Sequence, residues 1–398
     1  MKQFKIFRTY LFFNIYKFIL NIIKTKKIKE KYNHYKRKYS ILSTKTVSYK
    51  EFRKYIKQRE KLPLDDIENI SAFLPFYVKS DELWAWNDFY GAGEIYKKYA
   101  GYPSDYVLKF VVDHTIQFRE NYCTEEEYVV NLPAHILTSD FAKVQCQKYT
   151  NAELFPVGLL MNYADDYYSE EKFQQEKQKL GKNLLVFPSH SSDVVVAEFD
   201  PIPLINEILK IKKLHNFDSV TICFYYADIQ RKFHKKFDGY GFNFVTAGHI
   251  LDPMFIPRLK TIIKLSDVTM SNSIGSHTFY SIGLNKPNYS IYEKNYIYKN
   301  IADEKQGNTQ QKYENILVNS SSVEYYTKLF SKYEEKLTPE QIKERDKICG
   351  LNRKRTPKEI KDFFERTEKL YKTGDYIKEN KNYTHIFTLQ IHLENENE

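Results

Sequence analysis

The sequence predicts an α/β protein of two Rossmann-like domains facing each other across a cleft, with a basic amphipathic N-terminal arm and C-terminal helices. The main observation is that apolar runs of strand length alternate with helix-like stretches between residues 183 and 291. This alternation implies right-handed βαβ units and a parallel sheet. A second observation is that three of these runs end in small polar loops, which carry His190, His249 and His277. Open α/β sheets bind their ligands at such strand ends.

Changes in the pattern divide the 398 residues into four predicted segments. Residues 1–60 form an arm and linker, 61–178 a smaller α/β domain, 179–300 the regular Rossmann-like domain and 301–398 a helical extension. Within the smaller domain the apolar runs are 73–78, 107–112, 128–132 and 154–157, and the polar residues 162–182 are expected to be an interdomain linker.

The N-terminal arm carries the excess positive charge. Residues 1–40 hold 12 Lys or Arg against one acid, Glu30, whereas the other 358 residues carry 49 basic and 50 acidic side chains. A nucleic-acid binder needs basic surface on its body, so this distribution argues against one. The apolar stretch 10–23 is interrupted by Lys17 and is shorter than the roughly 20 residues that cross a bilayer. We expect an interfacial helix on an anionic membrane, with packing on the chain's own body as the alternative.

The four cysteines indicate neither a disulfide framework nor a zinc site, because they are far apart and form no CxxC pair. No small-residue cleavage site follows the apolar stretch of the arm, so a secretory signal is not favoured. We therefore expect a cytoplasmic protein, peripheral on the inner face of the plasma membrane.

The elements of the regular domain follow from its apolar runs. Beyond residue 300, three helices have clear start signals: capping-box spacing at Ser321, and a threonine followed by proline at Thr338 and Thr356. In the regular domain, strands are predicted at 184–187, 220–226, 242–246, 268–271 and 288–291, and helices at 202–213, 255–265 and 277–282.

The polar loops have the composition of anion-binding loops. Small residues let the backbone approach a ligand, hydroxyl and amide groups supply hydrogen bonds, Gly275 permits a tight turn, and the following helix start favours a phosphate. The other interpretation is an ordinary capped helix start, which also applies to Asp252. The candidates for binding an anionic, nucleotide-linked ligand are Ser189, His190, Ser191, Ser192, Gly248, His249, Ser271, Asn272, Ser273, Gly275, Ser276 and His277.

Asp113 and His114 are the candidate catalytic residues, because they follow an apolar run in the smaller domain. A transferase needs a base to accept the proton of an attacking hydroxyl, and either side chain can do this if burial tunes its pKa. The alternative is a satisfied structural pair. His135 is a weaker candidate, and His215 and His234 are expected to be exposed.

Several enzyme classes lack their motifs here. There is no GxxxxGK[ST] and no GxSxG, and Gly239 and Gly241 lack the third glycine of GxGxxG and precede a strand. A P-loop enzyme, a serine hydrolase and a dehydrogenase are therefore not supported. The regular domain has no DxD triplet at a strand end, which argues against a metal-dependent sugar transferase of the single-domain type. We predict neither a bound metal nor a cofactor.

Four stretches carry a resemblance to a known family: LLVFPSHS at 184–191, FVTAGH at 244–249, SNSIGSH at 271–277 and GLNKP at 283–287. They resemble the donor domain of bacterial glycosyltransferases of the GT-B fold that build cell-surface polysaccharides such as capsule or lipopolysaccharide, including the glycerophosphotransferase-like group. Residues 86–91 through 113–115 resemble the acceptor domain of that family.

The resemblance implies transfer of a sugar from a nucleotide-activated donor to a glycan or lipid-linked acceptor, with side chains and helix N-termini, rather than a metal, stabilising the phosphates. It implies that His249, Ser273 and Ser276 hold the leaving group, that Ser189 and His190 reach the sugar or phosphate, and that Asp113 or His114 serves the acceptor. Three alternatives remain: a transferase of polyol phosphate from a cytidine-linked donor, a nucleotide-sugar epimerase, and a non-catalytic membrane-docked binding protein.

Overall fold

The computed structural model describes residues 45–74, 76–113, 115–120, 131–148, 150–192, 195–291, 297–300 and 321–376. The predicted membrane arm and His114 lie outside these residues, so both expectations stay predictions. The chain divides into two compact units, Met1–Lys54 with Phe73–Lys79 and Tyr55–Ala72 with Ser80–Glu398. None of the described helices has the length and apolar character needed to cross a bilayer.

The first unit contains a parallel pair of strands. β1 (Lys45–Ser48) pairs with β2 (Phe76–Lys79), and α1 (Tyr49–Ile56) follows β1 directly. Ser48 N–H donates to Glu51 Oε2 at 3.1 Å, and Glu51 N–H donates to Ser48 Oγ at 3.2 Å. This reciprocal capping box starts the helix. Residues 45–56 are therefore structured, where the sequence predicts a linker.

The second unit begins with a small parallel sheet. β3 (Val111–Val112), β4 (Ala134–Leu137) and β5 (Glu153–Pro156) pair in that order. β4 lies C-terminal to the run predicted at 128–132, of which residues 128–130 lie outside the described part. The helices of this half are α2 (Ile67–Ile70), α3 (Ala92–Tyr99) and α4 (Asp140–Cys146).

The predicted interdomain linker contains a helix, α5 (Glu170–Leu180). Ser169 caps it by accepting a hydrogen bond from Lys172 N–H. Asp166, also in the predicted linker, pairs with Lys264 at 2.7 Å and Lys260 at 3.2 Å.

The regular region forms the predicted parallel sheet. In chain order its elements are β6 (Asn183–Phe187), β7 (Val195–Glu198), α6 (Pro201–Leu214), β8 (Ser219–Cys223), α7 (Tyr226–Gln230), β9 (Asn243–Val245), α8 (Phe255–Leu265), β10 (Val268–Ser271), α9 (Ser276–Gly283), β11 (Asn288–Ser290) and β12 (Ile297–Asn300). The five parallel strands lie in the order β11, β10, β6, β8, β9, and all five residues of β6 are buried, as expected for a central parallel strand. A further pair, β7 and β12, is antiparallel and was not expected from the pattern.

The C-terminal helices are α10 (Ser321–Leu329), α11 (Pro339–Cys349) and α12 (Pro357–Thr373), and the three predicted helices are thus confirmed. Thr338 and Thr356 each form a capping box, as their spacing predicts. Phe363 and Phe364 of α12 pack on Phe110 beside β3, with ring centroids 4.9 Å apart in both pairs. One apolar core contains residues of the three-stranded and five-stranded parallel sheets and of α10 to α12. The fold is therefore a mixed α/β fold with parallel sheets and twelve helices in the described ranges, and the division at 178/179 into two facing domains stays a prediction.

Candidate functional site

The predicted ligand loops lie at the carboxyl ends of strands in the five-stranded sheet. Residues 188–192 follow β6, residues 272–275 follow β10, and residues 246–249 follow β9. β6 and β10 are hydrogen-bonded neighbours, so their loops leave the sheet side by side. β9 is the edge strand, two positions away from β6, and its loop is correspondingly set apart.

A hydrogen bond joins the loops after β6 and β10. Ser189 N–H donates to Asn272 Oδ1 at 2.7 Å, and both residues are buried. The hydroxyl of Ser189 is also buried and has no hydrogen-bond partner among the described residues. A buried polar group left unpaired costs roughly 1–3 kcal/mol. A ligand oxygen that bonded this hydroxyl would recover part of that free energy.

Two charged residues of this region were not found from the sequence. Buried Asp228, on α7, accepts hydrogen bonds from Ser191 N–H at 3.1 and 3.2 Å. Exposed Arg231 donates to the carbonyl of Ser192 at 2.8 Å. Burial raises the pKa of Asp228, while Ser191 and the charge of His190 oppose the shift. The signal available in the sequence was an acidic and a basic residue, Asp228 and Arg231, three positions apart and shortly after β8. Arg231 is the cation placed beside the β6 loop.

His190 lies on the exposed surface of this loop. Its Nδ1 lies 3.2 Å from the carbonyl of Ser191 and therefore donates to it, since a carbonyl only accepts. Its ring packs on Tyr225 with centroids 4.6 Å apart. In the neutral imidazole Nε2 is then the acceptor. The ring is held in a defined orientation beside Arg231 and the Ser189 loop.

Two of the predicted residues, Ser271 at the end of β10 and His277 in α9, serve the protein's own structure. Ser271 is fully buried, and its hydroxyl pairs with that of Ser290 at 2.9 Å. His277 Nε2 donates to the carbonyl of Ser273 at 3.1 Å. Burial lowers the pKa of His277 to about 4, and His190 adds to the shift. His277 is therefore neutral at pH 7 and braces the loop.

The start of α9 connects to the three-stranded sheet. Ile116 N–H, in the segment after β3, donates to Ser276 Oγ at 3.3 Å. The hydroxyl proton of Ser276 remains available to a ligand. Gly275 has φ −163°, an extended conformation that any residue adopts, so its backbone does not require glycine. An added Cβ at Gly275 would lie 3.1 Å from the His277 ring.

The loop after β9 is shaped by a buried ion pair. Asp252 Oδ2 pairs with Arg258 at 2.6 Å, and both side chains are fully buried. Asp252 Oδ1 also accepts from Met254 N–H at 2.8 Å, which forms a turn ahead of α8. The N-cap of α8 is Met254 and has no side-chain capping bond, so Asp252 is not the helix cap. Gly248 has φ +100°, and a Cβ there would lie 2.9 Å from the guanidinium of Arg258. Gly248 is thus a packing glycine.

His249 packs its ring on Tyr226 with centroids 4.3 Å apart. Its Nδ1 accepts from Leu251 N–H at 3.2 Å, so Nε2 carries the proton of the neutral imidazole. This tautomer is a donor, as the predicted contact to a diphosphate or ribose would require.

Asp113 lies directly at the end of β3. Thr115 donates to its Oδ1 from the backbone N–H at 3.0 Å and from the hydroxyl at 3.2 Å. Its Oδ2 is buried and has no hydrogen-bond partner in the described part of the chain. Burial raises the pKa of Asp113 to about 7, although both Thr115 bonds oppose the shift. A carboxylate with this pKa can take up a proton near neutral pH.

Asn87 holds the strand that ends at Asp113, a role that was not predicted from the sequence. Its Nδ2 donates to the carbonyl of Phe110 at 2.9 Å, and its Oδ1 accepts from Val112 N–H at 2.8 Å. The buried amide therefore pairs with β3 as a neighbouring strand would.

A strained turn joins the segment 85–91 to the loop after β9. Tyr90 has φ +58°, which is uncommon for a bulky residue, and its N–H donates to the carbonyl of Ile250 at 2.5 Å. Gly91 has φ +73°, and a Cβ there would lie 2.6 Å from the carbonyl oxygen of Pro253. Tyr280 connects this turn to Asp113. Burial raises the pKa of Tyr280, and the nearby Tyr90 and Asp113 raise it further.

The three other described histidines pack against neighbouring side chains within the fold. His135 is buried on β4, and burial lowers its pKa to about 3. His234 is buried rather than exposed as predicted, 3.4 Å from Glu68. His215 is half-buried and stacks on Tyr333 with centroids 3.6 Å apart. Across the described ranges, no group of three or more His, Cys, Asp or Glu side chains is placed to hold a metal ion.

Comparisons with known proteins gave weak structural likenesses. No protein-family model matches the chain, and no curated protein matches it. S. aureus MnaA, solved with UDP, has a TM-score of 0.35 and 12% identity over 78% of this chain and 87% of that chain. UDP-GlcNAc 2-epimerase from Neisseria meningitidis, bound to UDP-GlcNAc, has a TM-score of 0.31 and 14% identity over 61% of this chain and 62% of that chain, less than two thirds of its length. Likenesses at these TM-scores assign no function to this chain.

Proposed function

We propose that the protein is a glycosyltransferase that moves a sugar from a nucleotide-activated donor to a cell-surface glycan or a lipid-linked acceptor. The observation that carries the proposal is the hydrogen bond from Ile116 to Ser276. It ties the segment that follows Asp113 to the start of α9, beside the loop with the unpaired Ser189 hydroxyl. A titratable carboxyl and an anion-binding loop are thereby held in one region.

On the donor side, the groups suit a departing diphosphate. Negative charge grows on the leaving phosphate, and donors fixed in advance stabilise it in the transition state. Arg231 supplies positive charge, Ser189 and Ser276 supply hydroxyl donors, and the start of α9 supplies the positive end of a helix dipole. In this proposal no metal is required.

On the acceptor side, Asp113 is the proposed general base. Its Oδ2 accepts the proton of the attacking hydroxyl while Thr115 holds Oδ1 in place. The raised pKa keeps a proton-accepting fraction near neutral pH while making the carboxylate a stronger base than an exposed one.

A nucleotide-sugar epimerase is the second candidate, because the same carboxylate can take a proton from a sugar carbon. It would change its substrate without an acceptor. A polyol-phosphate transferase would instead consume a cytidine-linked polyol donor. The basic arm at residues 1–40 would place any of these enzymes on the inner leaflet, near lipid-linked acceptors.

A donor-turnover assay tests the proposal. The purified chain is incubated with UDP-, GDP- and CMP-sugars and CDP-polyols, with and without a bacterial lipid and glycan extract, and products are separated by chromatography and mass. Acceptor-dependent nucleotide release with the sugar on the acceptor supports the transferase, provided that it disappears in Asp113→Asn and persists in Asp105→Asn, an exposed matched control. An altered nucleotide sugar without an acceptor identifies the epimerase. No turnover of any donor contradicts the proposal.

A further inference from the structure

We propose that a groove between α4, α10 and α11 binds a neutral segment of the acceptor glycan. Two adjoining cavities of about 350 and 210 Å³ share Phe141 and Lys347 in their walls. Drug-sized ligand sites start at about 300 Å³. The assignment of the ligand as the acceptor rests on the proposed function; the assignment as a glycan rests on the groove itself.

The aromatic lining fits the apolar faces of sugar rings. Phe141 is half-buried and Tyr325 is 40% exposed, so both rings offer surface to a ligand. Phe118 and Tyr326 are buried beneath them, with ring centroids 5.8 Å apart, and make the floor rigid. Flat rings of this kind stack on the C–H faces of a pyranose.

The polar lining fits hydroxyl groups rather than a net charge. Lys347 pairs with Glu344 at 3.3 Å, and its Nζ lies 4.9 Å from the centre of the Phe141 ring. Asp140 pairs with Arg353, with Arg353 Nε at 2.7 Å. Asp346 pairs with Arg345 at 2.8 Å, and the exposed carboxylate of Glu120 also lines the groove. The groove therefore favours a neutral ligand with many hydroxyls over an anion.

The groove lies at the far end of the segment that begins at Asp113. Ile116 bonds Ser276, Phe118 stacks on Phe279 with centroids 4.9 Å apart, and Glu120 N–H donates to Ser322 Oγ at 3.2 Å. Seven residue steps span at most about 25 Å. The groove and the proposed base therefore lie at the two ends of one short segment, a distance that an extended oligosaccharide can span.

The test is binding of the full chain to an array of neutral and anionic tetrasaccharides. We expect retention of neutral members, weakened roughly fivefold to tenfold in Phe141→Ala and in Tyr325→Ala. Tyr240→Ala, which removes a 37% exposed tyrosine elsewhere, should bind as the wild type does. Melting curves of each variant are measured alongside, and only folded variants are compared.

Retention of no glycan, retention of anionic glycans only, or equal binding by folded Phe141 and Tyr325 variants would overturn the inference. Thermal shifts with nucleotides, measured on the same variants, separate it from the proposed function. Glycan binding without any nucleotide effect would support the glycan site in the groove and contradict the proposed transferase. Nucleotide binding without glycan binding would support the transferase and contradict the glycan site.

Discussion

At the residue scale, Asp113 has the most consequential environment. Burial raises the pKa of its carboxyl to about 7, and the proposed base acts only when it is deprotonated. We therefore expect kcat/KM for transfer to rise with pH and to level off above an apparent pKa of about 7. Asp113→Asn should abolish this limb together with the activity. A pH–rate profile that bends near 4, or one unchanged in the variant, would contradict the role.

The same shift predicts how stability depends on pH. The pKa of Asp113 is higher in the folded protein than in the unfolded chain, so the folded state binds more protons between these two values. The contribution of Asp113 is present below pH 4 and is lost as the pH rises through about 7. Denaturant unfolding should show Asp113→Asn gaining stability relative to the wild type between pH 4 and pH 8. An equal difference at both pH values would mean that the carboxyl is not desolvated.

Substitution of Ser189 should affect ligand binding without affecting folding. Its hydroxyl is buried without a partner in the described residues, so Ser189→Ala should leave the melting temperature unchanged or slightly higher. Loss of one hydrogen bond of about 1 kcal/mol should weaken nucleotide affinity roughly fivefold by calorimetry. The control is Ser331→Ala, an exposed serine on a turn, whose hydroxyl donates to the carbonyl of Lys328. Unchanged affinity in Ser189→Ala would remove this hydroxyl from the donor site.

Sequence reasoning located these residues better than it assigned their roles. Loop composition found Ser189 and Asp113, because small polar residues after apolar runs are visible in the chain. It could not distinguish Ser271 and His277, whose partners Ser290 and the Ser273 carbonyl depend on strand pairing and on the turn. Asp228, Arg231 and Asn87 were missed because their importance comes from contacts made only in the folded chain.

At the element scale, the turn at Gly91 shows how tightly the two parallel-sheet regions are packed. Gly91→Ala puts a Cβ 2.6 Å from the Pro253 carbonyl at a φ of +73°. Gly101→Ala is the matched control, since Gly101 has φ +75° with no atom within 4 Å. The left-handed backbone costs both variants roughly 1–2 kcal/mol. Gly91→Ala should lose about 1–3 kcal/mol more in denaturant unfolding because of the clash. Equal losses would show that this contact is loose.

The elements that were predicted well are those that bury a continuous apolar run. α8 and β10 have the predicted bounds, because their boundaries coincide with changes in apolarity. α5 was missed because it buries no residue and so has no apolar face to detect, although Ser169 and the acids after it are a helix-start signal. β4 was displaced because buried His135 interrupts its apolar pattern, and β7 depends on a partner about 100 residues away, β12.

At the scale of the whole molecule, the excess positive charge and the apolar core belong to different parts of the sequence. The 12 basic residues of the first 40 give the chain its net charge, whereas the rest is nearly balanced. The three-stranded and five-stranded parallel sheets share one apolar core with the C-terminal helices, so the site regions at β3, β6 and β10 are held by common packing. In the proposed function, this region binds a nucleotide-activated donor.

The most direct measurement is a thermal-shift screen of the full chain against UDP, GDP, CMP and CDP and their sugar or polyol conjugates. At about 100 times its dissociation constant, a ligand stabilises the fold by roughly 2.7 kcal/mol. We expect one nucleotide class to raise the melting temperature. Ser189→Ala should reduce this shift at limiting ligand, and Ser331→Ala should preserve the shift. The absence of a shift with every conjugate would contradict the proposal that this region binds a nucleotide-activated donor.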